Sequence, residues 1–525
     1  MKKQVALKAS IAALAAAALL YTGTSAWIGG QAQARYESWL ADILPVIDPA
    51  GTSTRTYRKG IFSSEATLSL ALPAAGEPAR ESDTVPGATV PPAPPSAPLR
   101  VTIVSRIQHG PVVGWRPAAA EIESRIASVD GGSEKFRALF ADVASPVVRV
   151  LASFTGAWEG GLHWSAGRLG DASTAARWSD LNYLFAGSAD GKRIEGSVAW
   201  PTFNLDIAPP VVAADPDIRI EGETPAEPPT PEPSTHLALA GLSATFHSQR
   251  QTPAAPWLLA AGKAAGTIES LTVLRGDAKV PVLTLQALDL QSDTQVDANQ
   301  QIGVVQTIAG RGALLGTALE TFRYEVALER LDGAALLALQ KAVILMSRTP
   351  PAGGTPDAQV DAALPAAMGQ ALGRFLDAGP AYRVQLDATV GGKAGQAKGH
   401  VSLIPAPAGP AAEHAALPPE LLLLSAIQRL EGAVSLRVPK SWPALFVASE
   451  PNAAESAAVL DMTLGMLEAQ SLLGVDSDAY SVDIQFSQGV TRVNGKPWFG
   501  DLAPDAGKPT SRSRGSRSKG RAPRQ

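Results

Sequence analysis

The sequence predicts an α+β protein: an N-terminal transmembrane helix, then extended antiparallel β-sheet with a few packed helices. Three observations predict it. Residues Ala9 to Ile28 carry no charge and follow Lys2, Lys3 and Lys8. Much of the remaining chain alternates apolar and polar residues with a period of two. Only a few stretches show the longer period of a helix.

The N-terminal run comes first. Its twenty residues, at about 1.5 Å each, reach across roughly 30 Å of bilayer hydrocarbon. Positive charge on the short flank keeps that end cytoplasmic, so the expectation is a single-pass inner-membrane protein with its bulk in the periplasm. Tyr21 and Trp27 fall where an interfacial aromatic belt would lie. A second reading is a cleaved signal: Ala32-Gln33-Ala34 is an A-x-A pattern and the strongest apolar stretch, Ile11 to Leu20, is short. Cleavage near Ala34 would release the chain to the periplasm.

Composition then divides the chain. Residues 1–34 form the signal anchor, and 35–76 a juxtamembrane helix, Arg35 to Ile43, and strand. Residues 77–98 hold seven prolines and read as a linker or insertion; 209–234 hold eight among acidic residues and read likewise. Between them lies a first sheet segment, 99–208, and beyond them a second with a helix, 235–404. A break at 405–419 precedes C-terminal helices and a hairpin over 420–503, and a basic, disordered tail fills 504–525.

Individual elements follow from local pattern. Tyr382 to Val390 is apolar at every even position, Gly391-Gly392 supplies a turn, and Ala397 to Leu403 alternates back, which makes a hairpin. Phe322 to Val326 and Tyr480 to Phe486 repeat the alternation. Helices are expected at Gly333 to Ser347, capped by Asp332, at Glu420 to Leu430 and at Ala453 to Leu473.

The chain is long enough, at 525 residues, for two to four domains or one extended, sheet-rich body. With 45% hydrophobic and 18% charged residues it has the material for a folded interior. A formal net charge of −4 selects no polyanionic or polycationic partner. The absence of cysteine removes disulfides, thiolate metal sites, iron–sulfur clusters and thiol nucleophiles together.

Few residues suggest chemistry. His109-Gly110-Pro111 fixes an imidazole before a turn, where it could act as base or ligand; a strand from Leu99 to Ile107 ending there explains the triplet structurally, with His109 bonding backbone. His163, His236, His247, His400 and His414 form no i,i+4 pair such as zinc sites use, and His400 lies on a polar strand face. Gly310-Arg311-Gly312 with Gly316 has one residue too many for a dinucleotide fingerprint and reads as a turn. Gly187 to Lys192 is one short of a phosphate loop, with Arg193 where a hydroxyl is required. No cofactor, metal site or enzymatic activity is expected.

Two groups of cations could meet anions. Tyr57, Arg58 and Lys59 could contact anionic headgroups, or be solvated side chains of a strand edge. The tail residues Arg512, Arg514, Arg517, Lys519 and Arg521 suit anionic lipid or another envelope polyanion, or serve as an inert solubilising tail. Nucleic acid is not expected, because the tail lacks aromatics and the expected compartment argues against it.

At Tyr57-Arg58-Lys59-Gly60-Ile61-Phe62-Ser63-Ser64 and Ile107-Gln108-His109-Gly110-Pro111 the chain resembles the YdgA-like family of bacterial proteins of unknown function. The small-residue stretch Tyr21 to Gly30, Leu331-Asp332-Gly333, the Tyr382 hairpin, Val438-Pro439-Lys440 and Tyr480 to Lys496 extend the likeness over nearly the whole chain. The resemblance implies an inner-membrane anchor and periplasmic body and brings no activity. In this light Gly60, His109, Gly110 and Pro111 are structural motif residues. The expected function is a non-enzymatic envelope protein handling lipid on an amphipathic sheet. The alternative is a homodimeric scaffold for envelope proteins.

Overall fold

The computed structural model describes residues 52–72, 99–131, 143–170, 174–208, 234–253, 255–276, 280–348, 358–406, 419–447 and 453–498, with single positions between 25 and 48. Two-residue alternation gives each segment one apolar and one polar face, and the strands that result pair edge to edge into one antiparallel sheet. The meander opens with β1 (Thr54–Lys59), β2 (Ser63–Leu72), β3 (Leu99–His109), β4 (Ala120–Asp130), β5 (Val147–Ala152) and β6 (Trp158–Trp164). A short hairpin, β7 (Gly167–Gly170) with β8 (Thr174–Trp178), precedes β9 (Leu181–Gly187), which returns to β6. The long β10 (Arg193–Ile207) pairs with β9 and β8 in tandem along one side.

From there the chain continues strand by strand through β11 (Thr235–Gln249), β12 (Ala261–Arg275), β13 (Leu283–Val296), β14 (Gln301–Leu314) and β15 (Thr317–Asp332). It goes on through β16 (Ala381–Val390), β17 (Lys393–Leu403) and β18 (Leu430–Pro439). The far edge is made by β19 (Gly474–Val475), β20 (Ala479–Ser487), β21 (Val490–Val493) and β22 (Lys496–Pro497), with β20 against β18.

The fold class therefore differs from the expected α+β arrangement. Among the described residues strand accounts for 60% and helix for 19%, and the helices form no layer. Helices α1 (Gly333–Arg348), α2 (Ala358–Asp377), α3 (Pro419–Gln428), α4 (Ser441–Val447) and α5 (Ala453–Ala469) are inserted between strands, at strand ends. The physical reason is that most strands pair with the next one in sequence and the rest with a nearby one, so little of the sheet's hydrogen bonding needs a helix to satisfy it. Asp332 does cap α1, its Oδ1 accepting from the Ala335 amide at 2.7 Å. Gly391 and Gly392, at φ 60° and 71°, form the two-residue turn of the Tyr382 hairpin. The Gly310-Arg311-Gly312 stretch is not a turn: it lies inside β14, at a register shift against β15.

The expected membrane-spanning helix is also corrected. No helix among the described residues is long and apolar enough to cross a membrane. Of the run from Ala9 to Ile28, only Ser25 and Ile28 are described, and both are helical and buried. They belong to a helix whose described positions run to Leu44 and whose inner side packs on the sheet: Leu40 meets Leu68 and Leu70, while Ala32 and Tyr36 meet Ala66, Ile107 and Ala120. The end of the greasy run is thus core, which overturns the expected single-pass inner-membrane topology. The proline-rich stretch 77–98 and the tail 504–525 lie outside the described residues, as do residues 209–233.

A recurrent device keeps the sheet closely packed: glycine directly across from an aromatic ring. Gly187 opposes Trp158, Gly160 opposes Phe185 and Gly196 opposes Phe246. A Cβ on these glycines would lie 2.1, 2.7 and 2.7 Å from the facing rings. The rings therefore lie down over the neighbouring strand.

Candidate functional site

Two features qualify as candidates, a polar joint beneath the N-terminal helix and a long apolar face. The joint gathers the motif residues that the sequence singles out. Pairing of Ser63 with Gln108 brings the β1–β2 turn against the β3–β4 loop, and the His109 amide donates to the Phe62 carbonyl at 3.0 Å. The His109 imidazole is 2% exposed. Its Nδ1 lies 3.0 Å from the Ser25 carbonyl, so Nδ1 carries the proton and Nε2, 3.1 Å from Ser64 Oγ, accepts from that hydroxyl. Burial lowers the pKa of His109, with Lys59 acting in the same sense and the Ser25 carbonyl opposing.

Gly60 and Gly110 serve this geometry. A Cβ on Gly60 would meet the Ser63 carbonyl oxygen at 2.4 Å, and Gly110 has φ 154°. Pro111 follows in the loop. His109 is therefore the peg on which the helix sits, with no second titratable side chain hydrogen-bonded to it.

Tyr57, Arg58 and Lys59 do not form one cationic patch. Tyr57 points to the helix side, its ring centroid 6.0 Å from that of Tyr36, and burial raises its pKa. Lys59 lies on the same side, close to Gly30. Arg58 takes the opposite face, where it heads a cross-strand series of alternating charge: Arg58, Glu65, Arg106, Glu123 and Arg149. Arg149 Nε and Glu123 Oε2 are 3.0 Å apart. The tail cations Arg512, Arg514, Arg517, Lys519 and Arg521 are outside the described residues.

The second feature was not visible as a unit in the sequence. Residues directly opposite in an antiparallel pair share a face, so the registers trace rows across the sheet. One row starts at Val148 and passes through Leu162, Tyr183, Val198 and Ala244 on β5, β6, β9, β10 and β11. It continues through Gly266, Leu290, Ile308 and Tyr324 on β12 to β15. It ends through Leu386, Ala397, Leu436 and Val482 on β16, β17, β18 and β20. No charged residue interrupts it. At about 4.8 Å per strand the row is roughly 58 Å long.

Flanking rows are apolar as well, for instance Val326, Val384, Gly399, Val434 and Ile484, and the polar pair Ser292–Gln306 is the break in that row. At the β1–β4 end the row passes into Ser124 and Ser105, whose hydroxyls are 2.8 Å apart, beneath the N-terminal helix. Among the described residues little beyond that helix lies over the face: Ile308, Leu386 and Leu436 remain 37%, 40% and 36% exposed. Trp442 of α4 does reach it, covering Gly395 at one border.

The opposite face is polar, as Glu325, Gln385, Lys398, Ser435 and Asp483 show in one row. It carries a cleft of about 950 Å³ whose lining includes Arg116, Glu121, Arg149, Glu159, Glu195 and Lys263. Glutamates on alternate strands stand about 10 Å apart, too far to share one ion. Asp387 sits on this face; burial pushes its pKa up, but hydrogen bonds from Gln385 and Gln396 and the charges of Lys398 and Arg323 bring it below the usual value.

The histidines are dispersed. His163 bonds Asn182 and His236 bonds Asp206, while His247 and His400 lie on the polar face. The missed signal for the apolar row was the small residues: in Ala261 to Ile268 alternation runs through alanine and glycine, which hardly register as apolar.

Known proteins add one finding. No curated protein and no solved structure matches the chain. A family model described as a bacterial protein of unknown function (DUF945) matches residues 1–498, so the chain belongs to this uncharacterised bacterial family.

Proposed function

We propose that the protein is a non-enzymatic lipid-handling protein whose uncovered apolar face receives acyl chains. One observation carries the reading: the row from Val148 to Val482 crosses thirteen strands, β5 to β20, without a charge. With its flanking rows it makes an apolar strip that covers on the order of 750 Å² of sheet, with Ile308, Leu386 and Leu436 exposed along it; contiguous exposed apolar surface marks a binding site.

Sheet twist favours a flexible occupant. At about 20° per strand the face turns through roughly 240° over twelve steps. A rigid protein surface cannot follow that rotation over the whole length, whereas hydrocarbon chains can. Each chain fills about half of the 30 Å hydrocarbon thickness of a bilayer, so the strip has room for more than one. The YdgA-like resemblance of the Tyr57 and Ile107 motifs belongs to the same proposal and contributes no activity.

The test is extraction of purified protein with organic solvent and analysis of the extract for phospholipid. Wild type should retain lipid, and Leu386→Glu with Ile308→Glu, both at exposed positions, should retain several-fold less while melting normally. Lipid-free wild type, or equal retention by the variant, would sink the reading.

A scaffold reading rests on a separate observation. Val459, Met462 and Met466 form an exposed stripe on α5, 53%, 69% and 54% accessible. If α5 pairs with a second copy, Met462→Glu should convert a dimer to a monomer in sedimentation. A wild-type monomer would remove this reading.

A further inference from the structure

Three successive hairpins end at the same border of the sheet, and each presents an apolar side chain to solvent. The shared border follows from pairing: Lys59 with Ser64, His109 with Ala120, Ala120 with Ala152 and Ala152 with Trp158. The β1–β2 turn carries Ile61, 53% exposed, the β3–β4 loop Trp115, 98% exposed, and the β5–β6 turn Phe154, 54% exposed. Successive tips are about two strand spacings apart, roughly 10 Å.

Trp115 is not a floppy ornament. Val113 and Arg116 exchange two backbone hydrogen bonds of 2.9 Å, closing a tight turn around Gly114 and Trp115. Trp115 has φ 67°, a left-handed conformation that a bulky residue adopts only at a cost. The turn, with Gly114 also at positive φ, holds the indole in solvent, 98% exposed.

We infer that this border is a docking edge for the interface of an anionic lipid bilayer, with Ile61, Trp115 and Phe154 entering the headgroup layer. Three points select that partner. Tryptophan and phenylalanine beside a polar boundary suit the half-apolar interface, where an indole N–H remains hydrated. Arg116, exposed beside Trp115 in the same turn, can reach lipid phosphates, while the Glu121 and Glu159 carboxylates belong to the polar face, Glu121 alongside Gly114. Separate tips spaced 10 Å apart fit a fluid surface better than a shaped protein pocket. The inference uses none of the residues of the apolar row and stands or falls independently of acyl-chain binding.

The absence of cysteine permits a site-resolved test. In the full chain, Phe154→Cys, Ile61→Cys and, as a control at the opposite strand ends, Val280→Cys are each labelled with an environment-sensitive fluorophore. Vesicles of phosphatidylethanolamine with phosphatidylglycerol are then added, and phosphatidylcholine vesicles in parallel. Docking requires a blue shift at Phe154 and Ile61 but not at Val280, and at least tenfold weaker response in a Trp115→Ser, Arg116→Glu background whose circular dichroism is unchanged. A uniform response at all three positions, a silent Phe154 label, or a shift that appears without vesicles as copies self-associate would overturn it.

Discussion

If His109 is the peg that seats the N-terminal helix, Gly29 must be glycine because of His109. A Cβ at Gly29 would lie 2.6, 2.9 and 3.0 Å from three atoms of the His109 ring, and the ring cannot swing aside because both its nitrogens are engaged. Gly29→Ala should therefore incur an overpacking cost of about 1–3 kcal/mol, partly offset by roughly 1 kcal/mol of helix propensity. The net is a loss of about 1 kcal/mol. His109→Ala alone removes a buried ring and strands the Ser25 carbonyl and Ser64 hydroxyl, at about 3–5 kcal/mol. In the His109→Ala background, however, the clash is gone and only the propensity gain remains, so Gly29→Ala should stabilise the helix by about 1 kcal/mol. The coupling of roughly 2 kcal/mol is what two residues in direct contact show. Native-state hydrogen exchange at the helix amides measures it, because opening of this element alone is the relevant event. If Gly29→Ala has the same sign and size in both backgrounds, His109 does not bear on the helix and the joint has been misread.

The same joint should respond to acid. His109 is held below its ordinary pKa in the folded protein, so its contribution is complete above about pH 6.5, falls as pH drops below that value and levels off once the folded-state ring protonates; protection factors of the helix amides should fall across this window, and His109→Gln should flatten the response. Asp48 also lies below its usual value: burial pushes it up, but bonds from Ser53 and Thr52 outweigh that. Its stabilisation is present above about pH 4 and is lost on further acidification, and Asp48→Ala should remove that step from an acid-unfolding curve. Gly196→Val places atoms where a Cβ alone lies 2.5 Å from the Leu184 carbonyl and 2.7 Å from Phe246, and should reduce stability by about 1–3 kcal/mol in urea unfolding. Gly391→Ala, in the hairpin turn at φ 60° with open space around it, should cost only about 1 kcal/mol, from backbone strain alone.

What could be read from the sequence and what could not divide along one physical line. Alternation is a local property, so the Tyr382 hairpin, the Tyr480 strand and the Asp332-capped helix were all legible from a few consecutive residues. Register is not local. Nothing in Val198, Ala244, Gly266 or Leu290 taken singly says that they stand side by side, and the glycines among them dilute the apolar signal that would otherwise mark their strands. The same limit explains the N-terminal error. A run of small apolar residues is suited equally to hydrocarbon and to a close-packed sheet face. Only His109, eighty-four positions from Ser25, decides that Ser25, Ile28 and Gly29 belong to the latter. His109 thus shows how a motif can be correctly noticed and its role still be invisible. Its partner is a backbone carbonyl, which any residue could supply, so the sequence contains no second half of the pair to find. The apolar row is the converse case. Each of its members is unremarkable, and their meaning lies wholly in being contiguous, which is why the functional reading rests on the face and not on any one residue of it.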